Sequence, residues 1–123
     1  MIKIRKRLVI VAAAFAVLTG CSIVGSSAFA ASASDVSEGK KLAFGRTKGN
    51  CLACHMIEGG SAHGNIAPPL VAMKARYPAK AKLTAQISDA SRMNQETMMP
   101  LFGAHAILSE AEIDKIVDFV LSL

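Results

Sequence analysis

The stretch Gly49–Gly60 reads GNCLACHMIEGG (residues 49–60). Cys51 and Cys54 stand three apart, and His55 follows the second cysteine directly. C-x-x-C-H is the attachment signature of c-type haem. Two thiols at that spacing reach the two vinyl groups on one side of a porphyrin and form thioethers. The adjacent His55 then turns its imidazole onto the iron. Three other chemistries use cysteine pairs. Zinc needs a second ligand pair, and His63 and His105 lack the close spacing of one. A thioredoxin-like redox pair sits at a strand-to-helix turn, and no flanking strand is evident here. A structural disulfide across two residues is rarer still.

The chain of 123 residues predicts one compact domain. Its net charge of +5 is concentrated at the start, where Lys3, Arg5, Lys6 and Arg7 fall together. Without those four the remainder is close to neutral, which excludes a nucleic-acid binder that works by charge. The basic start is followed by the apolar run LVIVAAAFAVL and then by small residues. That order is a targeting signal, and the run is too short to span a bilayer. Residues 1–30 are expected to be an export signal, cleaved after Ala28-Phe29-Ala30. Leu18-Thr19-Gly20-Cys21 offers a competing lipobox that would lipidate Cys21 and give the only membrane attachment. Export places the protein in the periplasm, where covalent attachment keeps a haem in place.

Residues 31–36 read as a short flexible lead-in and 37–123 as the folded domain. A first helix is expected from Ser37 to about Lys48, with Leu42 and Phe44 facing the core. Lys40, Lys41, Arg46 and Lys48 form its solvated face, with the capacity to steer an acidic partner. The Gly-, Pro- and Asn-rich stretch 55–77 reads as loop. Pro78 opens a second helix carrying Leu83 and Ile87 four apart. The last helix is the clearest: Ser109 and Glu112 make a capping box, and Ile113, Ile116, Val117, Val120 and Leu121 fall on one face. The fold class is all-α, small and loop-rich, and its thin core needs a staple such as a covalent cofactor.

A sixth iron ligand must come from farther along the chain. His63, His105 and five methionines of the mature chain are candidates, although methionine is usually core filler. Met56 is too close to His55 to reach the opposite face. Met99 lies 44 residues after His55 and precedes Pro100 in a loop between helices. Met98 is its rival, because neighbours in an extended loop point opposite ways. A thioether ligand favours ferrous iron and raises the reduction potential. Six-coordinate iron leaves no vacancy, so such a haem moves electrons. Pro68, Pro69 and Leu70 would pack the His55 side, and Tyr77 stands nearby.

GNCLACH, GNIAPPL, NQETMMPLFG and the terminal LSEAEIDKIVDFVLSL together resemble the SoxX family of monohaem c-type cytochromes, over residues 37–123. The loop residues that carry the resemblance are Asn94, Thr97, Met99, Pro100, Phe102 and Gly103. The chain departs from the family pattern at Ala67, Gln95 and Leu101. The resemblance implies a cytochrome c domain wrapped round one covalent haem c, with Met99 as the axial methionine. It also implies a heterodimer with a SoxA-type cytochrome subunit, which holds the catalytic haem of a thiosulfate-oxidising cysteine S-thiosulfotransferase. This chain would then be the non-catalytic electron-transfer subunit. A SoxYZ-type carrier receives the thiosulfate, and a small soluble cytochrome accepts the electrons. The rival readings are a free-standing electron shuttle and a haem sensor with an open sixth position.

Overall fold

The structure is a computed structural model that describes residues 31–123; the expected export signal and Cys21 lie outside the described residues. Among the described residues four helices make up the fold: α1 (Ala33–Phe44), α2 (Met73–Arg76), α3 (Lys80–Ser88) and α4 (Glu110–Leu121). Single turns of 3₁₀-helix occupy Cys51–Ala53 and Ala90–Arg92. No strand occurs among the described residues, as the sequence predicts.

α4 forms because its sequence is locally consistent. The Ser109 hydroxyl accepts from the Glu112 N–H, and the Glu112 carboxylate accepts from the Ser109 N–H. This reciprocal cap satisfies two donors the helix would otherwise orphan. Ile113, Ile116, Val117, Phe119 and Val120 are buried along the inner face.

α1 begins at Ala33, inside the stretch read as a flexible lead-in, and ends at Phe44 rather than near Lys48. Both shifts have local causes. The Ser32 hydroxyl accepts from the Asp35 N–H and caps the helix earlier than expected. Gly45 then leaves helical geometry, and Gly49 turns back to donate to the Leu42 carbonyl. α2 is a further departure, a single helical turn inside the expected loop. α3 starts at Lys80, two residues after Pro78.

α1 and α4 cross almost backbone to backbone. A β-carbon placed on Gly39 would lie 2.0 Å from the Lys115 carbonyl oxygen. Only glycine permits that approach. Phe44 meets Phe119 edge-on beside the crossing, with ring centroids 5.8 Å apart and planes at 85°. Lys115 pairs with Glu38 and Lys48 with Glu112 across the same interface. On the other side, Lys80 of α3 bridges Asp114 at 2.8 Å and Asp118 at 2.7 Å on α4. The core therefore lies between α4, α3 and the loops, and includes Ile57, Met73, Leu83, Ile87, Phe102 and Leu108. Among the described residues no helix is long and apolar enough to cross a membrane.

Candidate functional site

The loops that α1, α3 and α4 support enclose a cavity of about 340 Å³. That volume falls in the range typical of small-molecule and cofactor sites. Cys51, Cys54 and His55 enter it from the turn after α1, and Met98, Met99 and Pro100 from the loop before α4. The walls are apolar, with Leu70, Met73, Leu83, Ile87, Phe102 and Ile116 among them.

The cysteine turn is shaped by its neighbours. Asn50 takes a left-handed conformation at φ 48° and starts the 3₁₀ turn. Asparagine is one of the few residues that visit that region readily. A β-carbon on the buried Gly49 would press on the backbone of α1 and on Cys51 Sγ, each at about 3.2 Å or closer. Glycine there gives the thiol its room. Cys51 and Cys54 are not joined to each other. Burial pushes the Cys51 thiol up to about 11, so it stays protonated at neutral pH. Reactive redox cysteines and zinc thiolates are shifted the other way. Nor does any group of three His, Cys, Asp or Glu residues converge as a metal site among the described residues.

A second segment runs alongside the cysteine turn and is tied to it at intervals. Gly64, Ala67 and Leu70 donate their N–H groups to the carbonyls of Leu52, Cys54 and Met56. A β-carbon on Gly64 would sit 2.2 Å from the Ala53 carbonyl oxygen, so the close pairing requires glycine. Between the last two ties, His55 Nδ1 lies 2.7 Å from the Pro68 carbonyl oxygen. A carbonyl only accepts, so the proton is on Nδ1 and Nε2 carries the free lone pair. This is how a metal-binding histidine is usually fixed in tautomer and direction.

The loop carrying Met98 and Met99 braces itself. The Thr97 N–H donates to the Asn94 carbonyl, and the Met99 N–H to the Thr97 hydroxyl, each at 3.1 Å. Gly103 and Ala104 both donate to the Ser88 carbonyl at the end of α3. Met99 is half-buried and packs against the core, whereas Met98 is 87 % exposed. Met73 also lines the cavity, but its sulfur accepts a hydrogen bond from Arg76 Nη1 at 3.3 Å. Met56 and Met93 are exposed and do not line the cavity, and neither do His63 and His105.

The structure thus brings together Cys51, Cys54, His55, Leu70 and Met99 of the residues expected from sequence. Pro69 is not in the wall; Pro68 is, and the Pro69 carbonyl instead accepts from Arg76 Nη1 at 3.0 Å. Lys40, Lys41, Arg46 and Lys48 do not line the cavity either. Lys40 lies over the Phe44 ring and Lys48 is taken by Glu112. Met73, one of the five candidate methionines, lines the wall, and sequence reasoning missed Arg76, Gln86 and Val120 there. Only Val120 carried a signal, as part of the α4 stripe.

A covalent haem fits this donor set. Two thiols, one imidazole with its second nitrogen already held, and a soft thioether open into one apolar cavity. Comparison with known proteins points the same way. The family model for cytochrome c matches residues 36–123. Among curated proteins no relative matches. The crystal structure of SoxXA from P. pantotrophus superposes with a TM-score of 0.63 at 27% sequence identity, over 70% of this chain and 79% of that one.

Proposed function

Because the chain belongs to the cytochrome c family, which implies covalently bound haem c, we propose that it is the electron-transfer subunit of a SoxAX-type complex. Cys51 and Cys54 would hold the haem through two thioethers, and His55 and Met99 would hold its iron. With a single C-x-x-C-H motif, the chain carries one haem. When bound, the haem supplies a one-electron ferric–ferrous couple.

The chain's own residues set the terms of that couple. The Pro68 carbonyl holds the His55 proton on Nδ1 and keeps Nε2 directed at the cavity. The half-buried Met99 offers a thioether, which favours the reduced state. Pro68 and Leu70 shape the His55 side. The apolar wall excludes water, which also favours the state of lower charge.

The observation that carries the wider reading is the likeness to SoxXA. It supports a SoxA-type cytochrome as partner, with thiosulfate joined to a SoxYZ-type carrier and electrons passed to a small soluble cytochrome. Residues 1–30 direct the chain to the periplasm, with Cys21 as the alternative lipid anchor. An affinity pull-down of the tagged protein from its native periplasm, with haem staining, tests this. A larger haem protein eluting in equal amount supports the complex. A lone haem-staining band would refute it and leave a free electron shuttle.

A further inference from the structure

Pro68 and Pro69 create a mechanical problem for the site. Neither has an N–H, so neither can be tied down by donating to the cysteine turn. The ties on either side come from the N–H groups of Ala67 and Leu70, at 3.1 and 2.9 Å. Between those two N–H groups the chain has three carbonyl oxygens, of Ala67, Pro68 and Pro69, and the two proline oxygens are the ones held. The Pro68 oxygen is on His55 Nδ1 at 2.7 Å. The Pro69 oxygen is on Arg76 Nη1 at 3.0 Å.

Arg76 is itself anchored. It closes α2, where its N–H donates to the Ala72 carbonyl at 3.2 Å. The same Nη1 that holds Pro69 also lies 3.3 Å from the sulfur of Met73, which is 2 % exposed. One guanidinium nitrogen therefore joins the proline pair to a fixed point in the core. Hydrogen bonds from a charged donor are roughly twice as strong as neutral ones. Arg76 is otherwise solvent-exposed and makes no ion pair with a described carboxylate.

We propose that Arg76 is a positioning residue for His55, acting through the Pro68–Pro69 segment to keep the Pro68 carbonyl on the imidazole. This rests on the reading that His55 binds the iron. Arg76 touches neither ring nitrogen. It restrains the one segment whose movement would release Nδ1–H, and with it the direction and basicity of the ligand nitrogen.

The test is hydrogen exchange of the His55 Nδ1 proton, measured by NMR on histidine-labelled ferrous and ferric holoprotein. Wild type is compared with Arg76→Leu, which keeps a covering stem but no donor, and with Arg76→Lys. The Ile116 amide on α4 serves as internal reference. In Arg76→Leu the ring proton is expected to exchange about tenfold faster relative to Ile116, equivalent to about 1.4 kcal/mol. Arg76→Lys, with one compact donor, is expected to recover part of that protection. Equal acceleration of the ring proton and Ile116 would make Arg76 merely structural and overturn the proposal. So would an unchanged ring proton. If the wild-type ferric protein shows no hyperfine-shifted histidine ring, His55 is not the ligand, and the underlying reading fails instead.

Discussion

Replacing Gly39 by alanine puts the α1–α4 crossing under direct test. Helix propensity alone favours the change by ~1 kcal/mol. The structure predicts that sterics win. The new methyl carbon would stand 2.0 Å from the Lys115 carbonyl oxygen and 3.0 Å from Phe119 Cβ. Ordinary contact begins near 3.4 Å, so the helices must part by more than an ångström at their closest point. Both contacts involve atoms that cannot swing aside. Overpacking of this kind costs about 1–3 kcal/mol and occasionally more. Parting the helices also loosens the Phe44–Phe119 contact, worth ~0.5–1.5 kcal/mol beyond its area. Set against the propensity gain, the net loss is about 0.5–3.5 kcal/mol. For a domain this small, that lowers the melting temperature by roughly 2–28 °C. Gly45→Ala is the control. Its backbone is at φ −65° and its closest new contact is 3.2 Å, so a small adjustment suffices. Thermal unfolding of the ferric holoproteins, followed by far-ultraviolet circular dichroism, separates the two. A Gly39→Ala protein melting with wild type would refute the close crossing.

Three further outcomes follow from particular contacts. The Lys48 ammonium, and then the Ser109 N–H, hold the Glu112 carboxyl down at about 2, against an ordinary value of 4.5. Its contribution to stability is complete above pH 4.5 and is lost as pH falls toward 2. Glu112→Gln should therefore be less stable than wild type at neutral pH and flatten that part of the acid unfolding curve, the two proteins converging as pH falls toward 2. Ser109→Ala removes the hydroxyl of the α4 cap and should destabilise by ~1 kcal/mol in denaturant titration. Lys80→Met leaves Asp114 and Asp118 facing each other one turn apart. Exposed pairs are weak, so the loss should be about 0.5–1 kcal/mol, and it should shrink in high salt.

What sequence revealed and what it hid follow one physical line. α4 was legible because its cap, its apolar stripe and its length agree within a dozen residues. The cysteine turn was legible because attachment chemistry demands fixed spacing. Met99 stood out through the proline after it. The missing pieces depend on contacts between distant segments. Gly39 has no side chain to join a hydrophobic pattern, yet it sets the distance between two helices. The early start of α1 turned on a Ser32–Asp35 cap in a stretch of small residues that resembled a tail. α2 is one turn long, below the reach of any periodicity. Pro69 was expected to pack on the site, but its carbonyl turned to Arg76 while Pro68 took the wall. That division rests on a bond between residues 69 and 76 that composition does not announce.

The central claim is that His55 and Met99 share one iron across this cavity. The most direct measurement compares the ferric optical and electron paramagnetic resonance spectra of Met99→Ala and Met98→Ala with wild type, alongside their midpoint potentials. Met99→Ala should lose the low-spin histidine–methionine signature and fall in potential, within the ~0.8 V range that axial ligands command. Met98→Ala, which removes an 87 % exposed side chain, should keep both. A Met99→Ala protein with the wild-type spectrum and potential would contradict the account.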